Sequence, residues 1–364
     1  MHLNRREFSR LAALASLSPL AVSPFANSQD SGRTIGWSIV GLGRISMDHF
    51  MPGIKLGKKG RITALVSGHR EKAEKQAAMY GVPDRAIYSY ENFDAIRDNK
   101  EIDAVYIALP NSMHAEYTIR AAKAGKHVLC EKPMATSIAD SQAMIEACST
   151  AGKKLMIAYR CQYEPVNLKA VQIIRSGQLG AVQAIESANG FNISPGEWRL
   201  NRKLAGGGPL MDVGIYSLNA SRYLTGEEPH DIHANSSVID HDGRFNEVEE
   251  NVSWTMKFPS GIVASCNTSY GASMNGYYRV HGSKGMLELY PAFGYEGIHL
   301  TAEIGKQKID MPEAAHDPQQ FTVQADYFAD CIFENTTPKS DGDEGLRDMQ
   351  LMSQIYQSAG LPAL

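Results

Sequence analysis

The sequence predicts an α/β protein of two domains: a parallel, doubly wound sheet, then an α+β domain with a large, mostly antiparallel sheet. Three observations point there. Apolar strand-like runs alternate with helical segments from Thr34 to about Tyr159. A glycine turn directly follows the first of those runs. After about Gly180 the rhythm changes to successive strand-like runs with few helices between them. The expected boundaries are 1–28 for a leader, 32–159 for the first domain and 160–364 for the second.

The leader differs from everything after it. Arg5-Arg6 and Arg10 precede an apolar run from Leu11 to Val22, and a Pro/Ser/Ala patch offers a cleavage point near Ala26 to Ser28. This pattern is expected to be a signal peptide, with the paired arginines followed by Phe8 indicating the twin-arginine type and hence the periplasm. The alternative is an amphipathic N-terminal helix of the fold. No internal run reaches membrane-spanning length, so the mature form is expected to carry no membrane anchor. The formal charge of −4 leaves no basic footprint for nucleic acid. The five cysteines are scattered and form no C-x-x-C pair, so no metal is expected and most should be small core residues.

In the first domain "TIGWSIVG", "RITALVS", "DAVYIALP", "HVLCEKP" and "LMIAYR" are the strand-like runs. The helical segments between them argue for parallel strands with crossover helices. The first strand runs into Gly41-x-Gly43-x-x-Ser46, where Arg44 and Ile45 open the next helix. The first glycine allows a tight turn and the second lets the backbone approach a pyrophosphate at the helix N-terminus. A glycine turn in that position marks a Rossmann dinucleotide-binding domain. The second strand ends in Ser67-Gly68-His69-Arg70, without the carboxylate that would hold an NAD ribose. Ser67, Arg70 and Lys72 could instead hold a 2′-phosphate, so NADP is the expected cofactor. The alternative is that Arg70 and Lys72 are solvated residues of a first helical turn.

The fifth strand ends in Glu131-Lys132-Pro133. Ligands of open α/β sheets bind at the carboxyl ends of the strands, so Lys132 is expected in the cofactor crevice, where its charge would favour ionisation of a neighbouring phenol. The preceding strand ends in Leu109, Pro110 and Asn111, offered to the nicotinamide ribose, with His114 expected in the crevice. The bland alternative is a surface Glu131–Lys132 pair beside a turn.

In the second domain three glycines, Gly206 to Gly208, precede a helix on which Asp212 and Tyr216 stand four apart and share a face. The glycine run suggests close approach of a ligand to the backbone. A tyrosine, an aspartate and a lysine around one carbon can move a proton and orient a sugar hydroxyl. Two helical stretches close the chain, and the last should cover a sheet or return to the first domain.

The motifs "GLGRIS", "ALPNSMHAEY", "CEKPMATS", "YRCQYEPVN" and "LAGGGPLMDVGIYSLN" together resemble the Gfo/Idh/MocA family of sugar and inositol oxidoreductases over roughly Thr34 to Leu361. Within it the likeness is greatest to the periplasmic glucose–fructose and aldose–aldose oxidoreductases. The resemblance implies that Lys132 and Tyr216 are the catalytic pair and that Asp212 binds the reacting hydroxyl. It implies a sugar pocket lined by Tyr159, Arg160, Trp198 and Arg199, with Glu131 among the cofactor contacts, and a cis peptide before Pro133. It implies oxidation of a cyclic aldose at C1 and reduction of a second sugar carbonyl, on a tightly bound NADP. A dehydrogenase with exchangeable cofactor and an idle NADP-binding sensor are the alternatives. A homodimer through the second sheet is the expected assembly. The long proline-rich arm of the glucose–fructose enzymes has no counterpart here, because only about five residues separate the cleavage region from the first strand.

Overall fold

The computed structural model describes residues 32–312 and 319–364. The expected signal peptide lies outside them. The first sheet has six parallel strands in the order β3-β2-β1-β4-β5-β6. They are β1 (Ile35–Val40), β2 (Gly60–Val66), β3 (Ile87–Tyr88), β4 (Ala104–Ile107), β5 (His127–Cys130) and β6 (Leu155–Ile157). Every residue of β1 is buried, as expected of a parallel strand covered on both faces. Strand order reverses between β1 and β4, and the crevice at their carboxyl ends is where such sheets bind ligands.

The second sheet has eight strands in the order β14-β13-β12-β11-β7-β10-β9-β8. They are β7 (Val182–Gly190), β8 (Asp231–Ser237), β9 (Asn251–Lys257), β10 (Val263–Ser269), β11 (Tyr277–Gly282), β12 (Gly285–Leu289), β13 (His299–Ile304) and β14 (Gln307–Pro312). All neighbours are antiparallel except β7 and β10, which run parallel. Strands β13 and β14 were not anticipated. They form an edge hairpin, and β14 is half-exposed to exposed throughout, so it carries no apolar alternation to read.

One face of this sheet is covered by the helix Ile215–Thr225, whose Ser217 hydroxyl receives a hydrogen bond of 2.8 Å from Ser187 on β7. The other face is open. Along β9 the buried Val252, Trp254 and Met256 alternate with the exposed Ser253, Thr255 and Lys257.

The two C-terminal helices return to the first sheet. Phe328 of the helix Gln319–Phe333 packs against Trp37 of β1, with ring centroids 5.9 Å apart. The helix Gly342–Ser358 is capped by Asp341, whose side chain accepts from the Glu344 amide. Just ahead of it, the Ser340 carbonyl accepts from Ile157 of β6 at 2.7 Å, and its last residue, Ser358, accepts from Ala234 of β8 at 2.9 Å. It therefore spans both sheets. All five cysteines are buried and unpaired, as small core residues. Among the described residues no helix is long and apolar enough to cross a membrane.

Beneath the crevice lies a buried ion cluster. Arg222, 3% exposed, meets Asp348 at 2.6 Å, Glu344 at 2.8 Å and Glu228 at 2.7 Å. Burial, with the charge of Glu344, pushes the Asp348 carboxyl up to about 6 against the opposing pull of Arg222. Removing one partner would leave buried charge uncompensated. Arg222→Ala is therefore expected to destabilise the protein by about 3–5 kcal/mol, read as a fall in the urea midpoint with unchanged slope.

Candidate active site

The phosphate turn follows β1. Gly41 has φ 94° and its amide donates to the Val66 carbonyl at 3.0 Å. A Cβ there would lie 2.3 Å from the Ala108 carbonyl oxygen, so only glycine fits. A Cβ on Gly43 would meet nothing within 4 Å, which leaves open space at the start of the helix. Ser46 stands where a third glycine is usual, and its hydroxyl donates back to the Gly41 carbonyl at 2.6 Å. The serine thus closes the turn on itself. The open cradle, with Arg44 and Ile45 at the helix start, fits a pyrophosphate.

At the end of β2 the Ser67 hydroxyl accepts from the His69 amide at 3.0 Å, and Gly68 packs under the Tyr90 ring. Arg70 departs from expectation. Its guanidinium is paired with Glu74, at 2.7 Å, and with Asp84. Glu74 is its i+4 neighbour, so holding a phosphate requires these exposed pairs to open. Lys72, two residues on from Arg70, is half-buried.

Lys132 follows β5, and the Lys132–Pro133 peptide is cis. Its ammonium donates to the Asp212 main-chain carbonyl at 2.6 Å, lies 3.4 Å from Asp212 Oδ1 and 4.7 Å from the centre of the Tyr216 ring. The three residues expected to act together therefore meet. Glu131 accepts from the Tyr106 hydroxyl at 2.6 Å, and Tyr106 stacks on Phe50 with centroids 3.6 Å apart. Burial raises the Glu131 carboxyl, against Tyr106 and Lys132. The bland reading of a surface Glu131–Lys132 pair is not what the structure holds.

Asp212 sits on a π-helical turn, Leu210–Gly214, that runs into Ile215–Thr225. Burial alone would raise its carboxyl. Lys132, Arg199 and the Tyr270 hydroxyl outweigh that and hold it below the usual range. Its Oδ2 accepts from Tyr270 at 2.8 Å and lies 3.0 Å from Arg199 Nε. Arg199 also lies over the Trp198 ring at 4.8 Å, and both side chains are half-buried.

Several expectations need correction. The glycine run makes room for protein rather than for a ligand. A Cβ on Gly207 would lie 2.1 Å from the Tyr356 hydroxyl, and one on Gly208 2.6 Å from the Glu249 carbonyl. Glu249 accepts from the Gly208 amide at 2.9 Å, the Leu210 amide at 3.2 Å and the Tyr356 hydroxyl at 2.8 Å. Lys132 lies over the Tyr216 ring, and burial raises the phenol above its ordinary range despite the opposing charge of Arg160.

His114 does not face the crevice. It is buried, with Nδ1 2.9 Å from the Pro133 carbonyl and Nε2 3.0 Å from that of Leu109, so it struts the ends of β4 and β5. Asn111 is likewise buried, donating to the Ala205 carbonyl at 2.8 Å, while Pro110 stays half-buried beside it. Tyr159 is 4% exposed and lines a small pocket together with Lys132 and Tyr216. Arg160 is buried, and its two terminal nitrogens donate to the carbonyls of Phe293 (2.6 Å) and Gly294 (2.7 Å) and to Gln320 Oε1 (2.7 Å). Its guanidinium lies 5.0 Å from the Tyr216 ring centre and 4.5 Å from that of Tyr295.

Tyr106, Tyr270 and Tyr295 were missed. Each is a lone tyrosine in or after an apolar run, and only the fold brings it to the site. Tyr295 stacks on His49 of the phosphate helix at 4.0 Å.

The two turn glycines are expected to separate stability from binding. Gly41→Ala should cost about 1–3 kcal/mol through strain, seen in the thermal midpoint without cofactor. Gly43→Ala should leave that midpoint alone and weaken NAD(P) binding at least about tenfold, because its methyl group enters the cradle. Isothermal titration of both variants checks the contrast.

Residues 35–159 match the Gfo/Idh/MocA oxidoreductase family with its NAD-binding Rossmann fold, and residues 167–288 match the Gfo/Idh/MocA C-terminal domain. A D-xylose 1-dehydrogenase [NADP(+)] from Haloarcula marismortui is 32% identical over 89% of this chain and 91% of its own length. The crystal structure of an aldose-aldose oxidoreductase from Caulobacter crescentus, complexed with glycerol, superposes with TM-score 0.87 at 45% identity, covering 90% of this chain and 98% of that one. A 3-ketoreductase from Actinomadura kijaniata, solved with NADP, shares the fold at TM-score 0.79 and 22% identity, over 90% of this chain and 98% of that one. With both halves of the fold matched and the lysine at the sheet's carboxyl edge, the chain belongs to the Gfo/Idh/MocA family of NAD(P)-dependent oxidoreductases.

Proposed function

We propose that this protein oxidises a cyclic aldose at C1 to an aldonolactone and reduces the carbonyl of a second sugar, using one tightly held NADP. The observation that carries this reading is the meeting of Lys132, Asp212 and Tyr216 at the carboxyl end of β5. The 45% identity to an aldose-aldose oxidoreductase supports the sugar pair. Ser67 in place of a carboxylate, and the NADP-dependent D-xylose relative, support NADP.

The residues divide the work by their chemistry. Gly41, Gly43 and the helix start would hold the pyrophosphate, and Glu131 and Lys132 the nicotinamide end. Bound there, NADP would supply the hydride acceptor of the first half-reaction and the hydride donor of the second. Asp212, kept ionised by its neighbours, accepts a hydrogen bond from the sugar. Tyr216 moves the proton. Its raised phenol is a ready donor in the reductive half. Arg160 is the group that eases its ionisation in the oxidative half. Lys132 pins the Asp212 backbone and faces the phenol ring, so it sets the distance between the two.

The same reading includes export of the folded protein through the leader at 1–28, and self-association through the open face of the second sheet. The likeness to D-xylose 1-dehydrogenase favours a second reading, in which cofactor leaves after each turnover. Purified protein incubated with D-glucose or D-xylose and no added cofactor decides between them. Aldonate and alditol in equal amounts are expected, and formation of neither without added NADP would leave the dehydrogenase reading.

Tyr216→Phe keeps the ring and loses the proton carrier. A loss of roughly 10²–10⁴-fold in turnover is expected, with NADP still recovered from the denatured protein by mass spectrometry. Wild-type rates in this variant would place the acid–base group elsewhere. Ser67→Asp should turn cofactor preference toward NAD, measured as the ratio of the two dissociation constants.

A further inference from the structure

We propose that Tyr270 is a positioning residue which, with Arg199, engages one oxygen of Asp212 and so reserves the other, beside Lys132, for a sugar hydroxyl other than the one whose proton Tyr216 moves. The proposal rests on the reading above and assigns the two carboxylate oxygens separate tasks.

The distances set the division. Oδ2 accepts from the Tyr270 hydroxyl at 2.8 Å and faces Arg199 Nε at 3.0 Å. Among the described residues Oδ1 has only the Lys132 ammonium, at 3.4 Å, because the short bond of that ammonium, 2.6 Å, goes to the Asp212 main-chain carbonyl. An ionised carboxylate has about four lone-pair sites over its two oxygens. Oδ2 holds the short Tyr270 bond and the Arg199 ion pair, whereas Oδ1, with one long contact, retains the greater acceptor capacity. The Asp212 side chain is 17% exposed, so one edge opens to the crevice. A sugar hydroxyl donating to Oδ1 would sit beside Lys132, whose ammonium faces the Tyr216 ring.

Tyr270 is built to stay where it is. It follows β10 and is fully buried. Its ring packs with Ile193 and Phe245 in a small core separate from the main one, and meets Phe191 edge-on at 5.1 Å. Its amide donates to the Glu250 carbonyl at 2.9 Å, and its carbonyl accepts from the Ile193 amide at 2.8 Å. Arg244 fastens the two loops around that core. It donates to Asn192 Oδ1 at 2.7 Å and the Ile193 carbonyl at 2.8 Å, and to Asp240 and Asp242 at 2.7 Å each. Arg199, by contrast, is 31% exposed and shared with Glu197 at 3.7 Å. The buried phenol is therefore the rigid member of the clamp. Burial and the charge of Asp212 hold that phenol well above its ordinary range, so it stays a donor at every working pH.

Tyr270→Phe in the full-length holoprotein tests this, since it keeps the ring and deletes one donor. The first readout needs no turnover: carboxyl-carbon NMR of aspartate-labelled protein, with the Asp212 signal identified by its loss in Asp212→Asn. The Asp212 midpoint is expected to rise in Tyr270→Phe. The second is the pH profile of kcat/KM with D-glucose or D-xylose. A fall of about tenfold is expected, the size of one charge-assisted hydrogen bond, with the acid limb moved to higher pH. An unmoved Asp212 midpoint with an unmoved acid limb overturns the proposal. If Tyr270→Phe does not fold, 3-fluorotyrosine at position 270, a stronger donor of nearly equal size, should lower the midpoint, and an unchanged midpoint overturns it. A wild-type protein that turns over no aldose would sink the functional reading alone, because the titration still reports on Tyr270.

Discussion

The site hangs on one hydrogen bond, from the Lys132 ammonium to the main-chain carbonyl of Asp212 at 2.6 Å. The lysine leaves the parallel sheet and the carbonyl belongs to the helical turn beside the second sheet, so this bond carries the register between the two halves of the crevice. The turn's geometry is set from behind, where Glu249 takes the Gly208 and Leu210 amides at the helix entrance. A buried carboxylate is well placed at a helix N-terminus, where unpaired amides and the helix dipole favour negative charge. Glu249 thus fixes the Asp212 turn and Lys132 reads its position.

The large pattern was legible in the sequence because it is local. Strand–helix alternation, the Gly41-x-Gly43 turn and the lysine at the end of β5 all depend on residues near one another in the chain. Lys132, Asp212 and Tyr216 could be gathered because their motifs carry the resemblance, and they do meet. What could not be read is the direction of side chains whose partners lie far off. His114 and Asn111 sit in the expected loop yet turn inward, toward Pro133 and Ala205. Arg70 meets Asp84, which no spacing rule would pair with it. Strand β14 escaped notice because an edge strand exposed along its length has no apolar alternation.

The glycine run is the instructive misreading. Three consecutive glycines suggest a backbone that a ligand approaches, and the physics of missing side chains is the same whoever the visitor is. Here the visitors are Tyr356 and Glu249. Tyr356 belongs to the C-terminal helix, which also touches β6 and β8. The last helix therefore reaches the Asp212 turn through a hydroxyl, and the close approach binds the two ends of the chain's second half together.

Electrostatics then decides what the crevice can stabilise. Lys132, Arg160 and Arg199 gather around Tyr216 and Asp212, with Glu131 behind them. Burial raises both Glu131 and the Tyr216 phenol, whereas Asp212 is drawn down by its two cations and the Tyr270 hydroxyl. Among these anionic candidates Asp212 is the one whose charge the site secures. Two oxygens with different neighbours make that charge directional. On the proposed reading, a sugar beside Lys132 would find an acceptor for one hydroxyl in Asp212, and negative charge growing on the reacting oxygen would be met by the lysine as that oxygen's proton moves to Tyr216. Preorganised charge of this kind need not reorient during the reaction, which is why it lowers a barrier rather than merely strengthening binding.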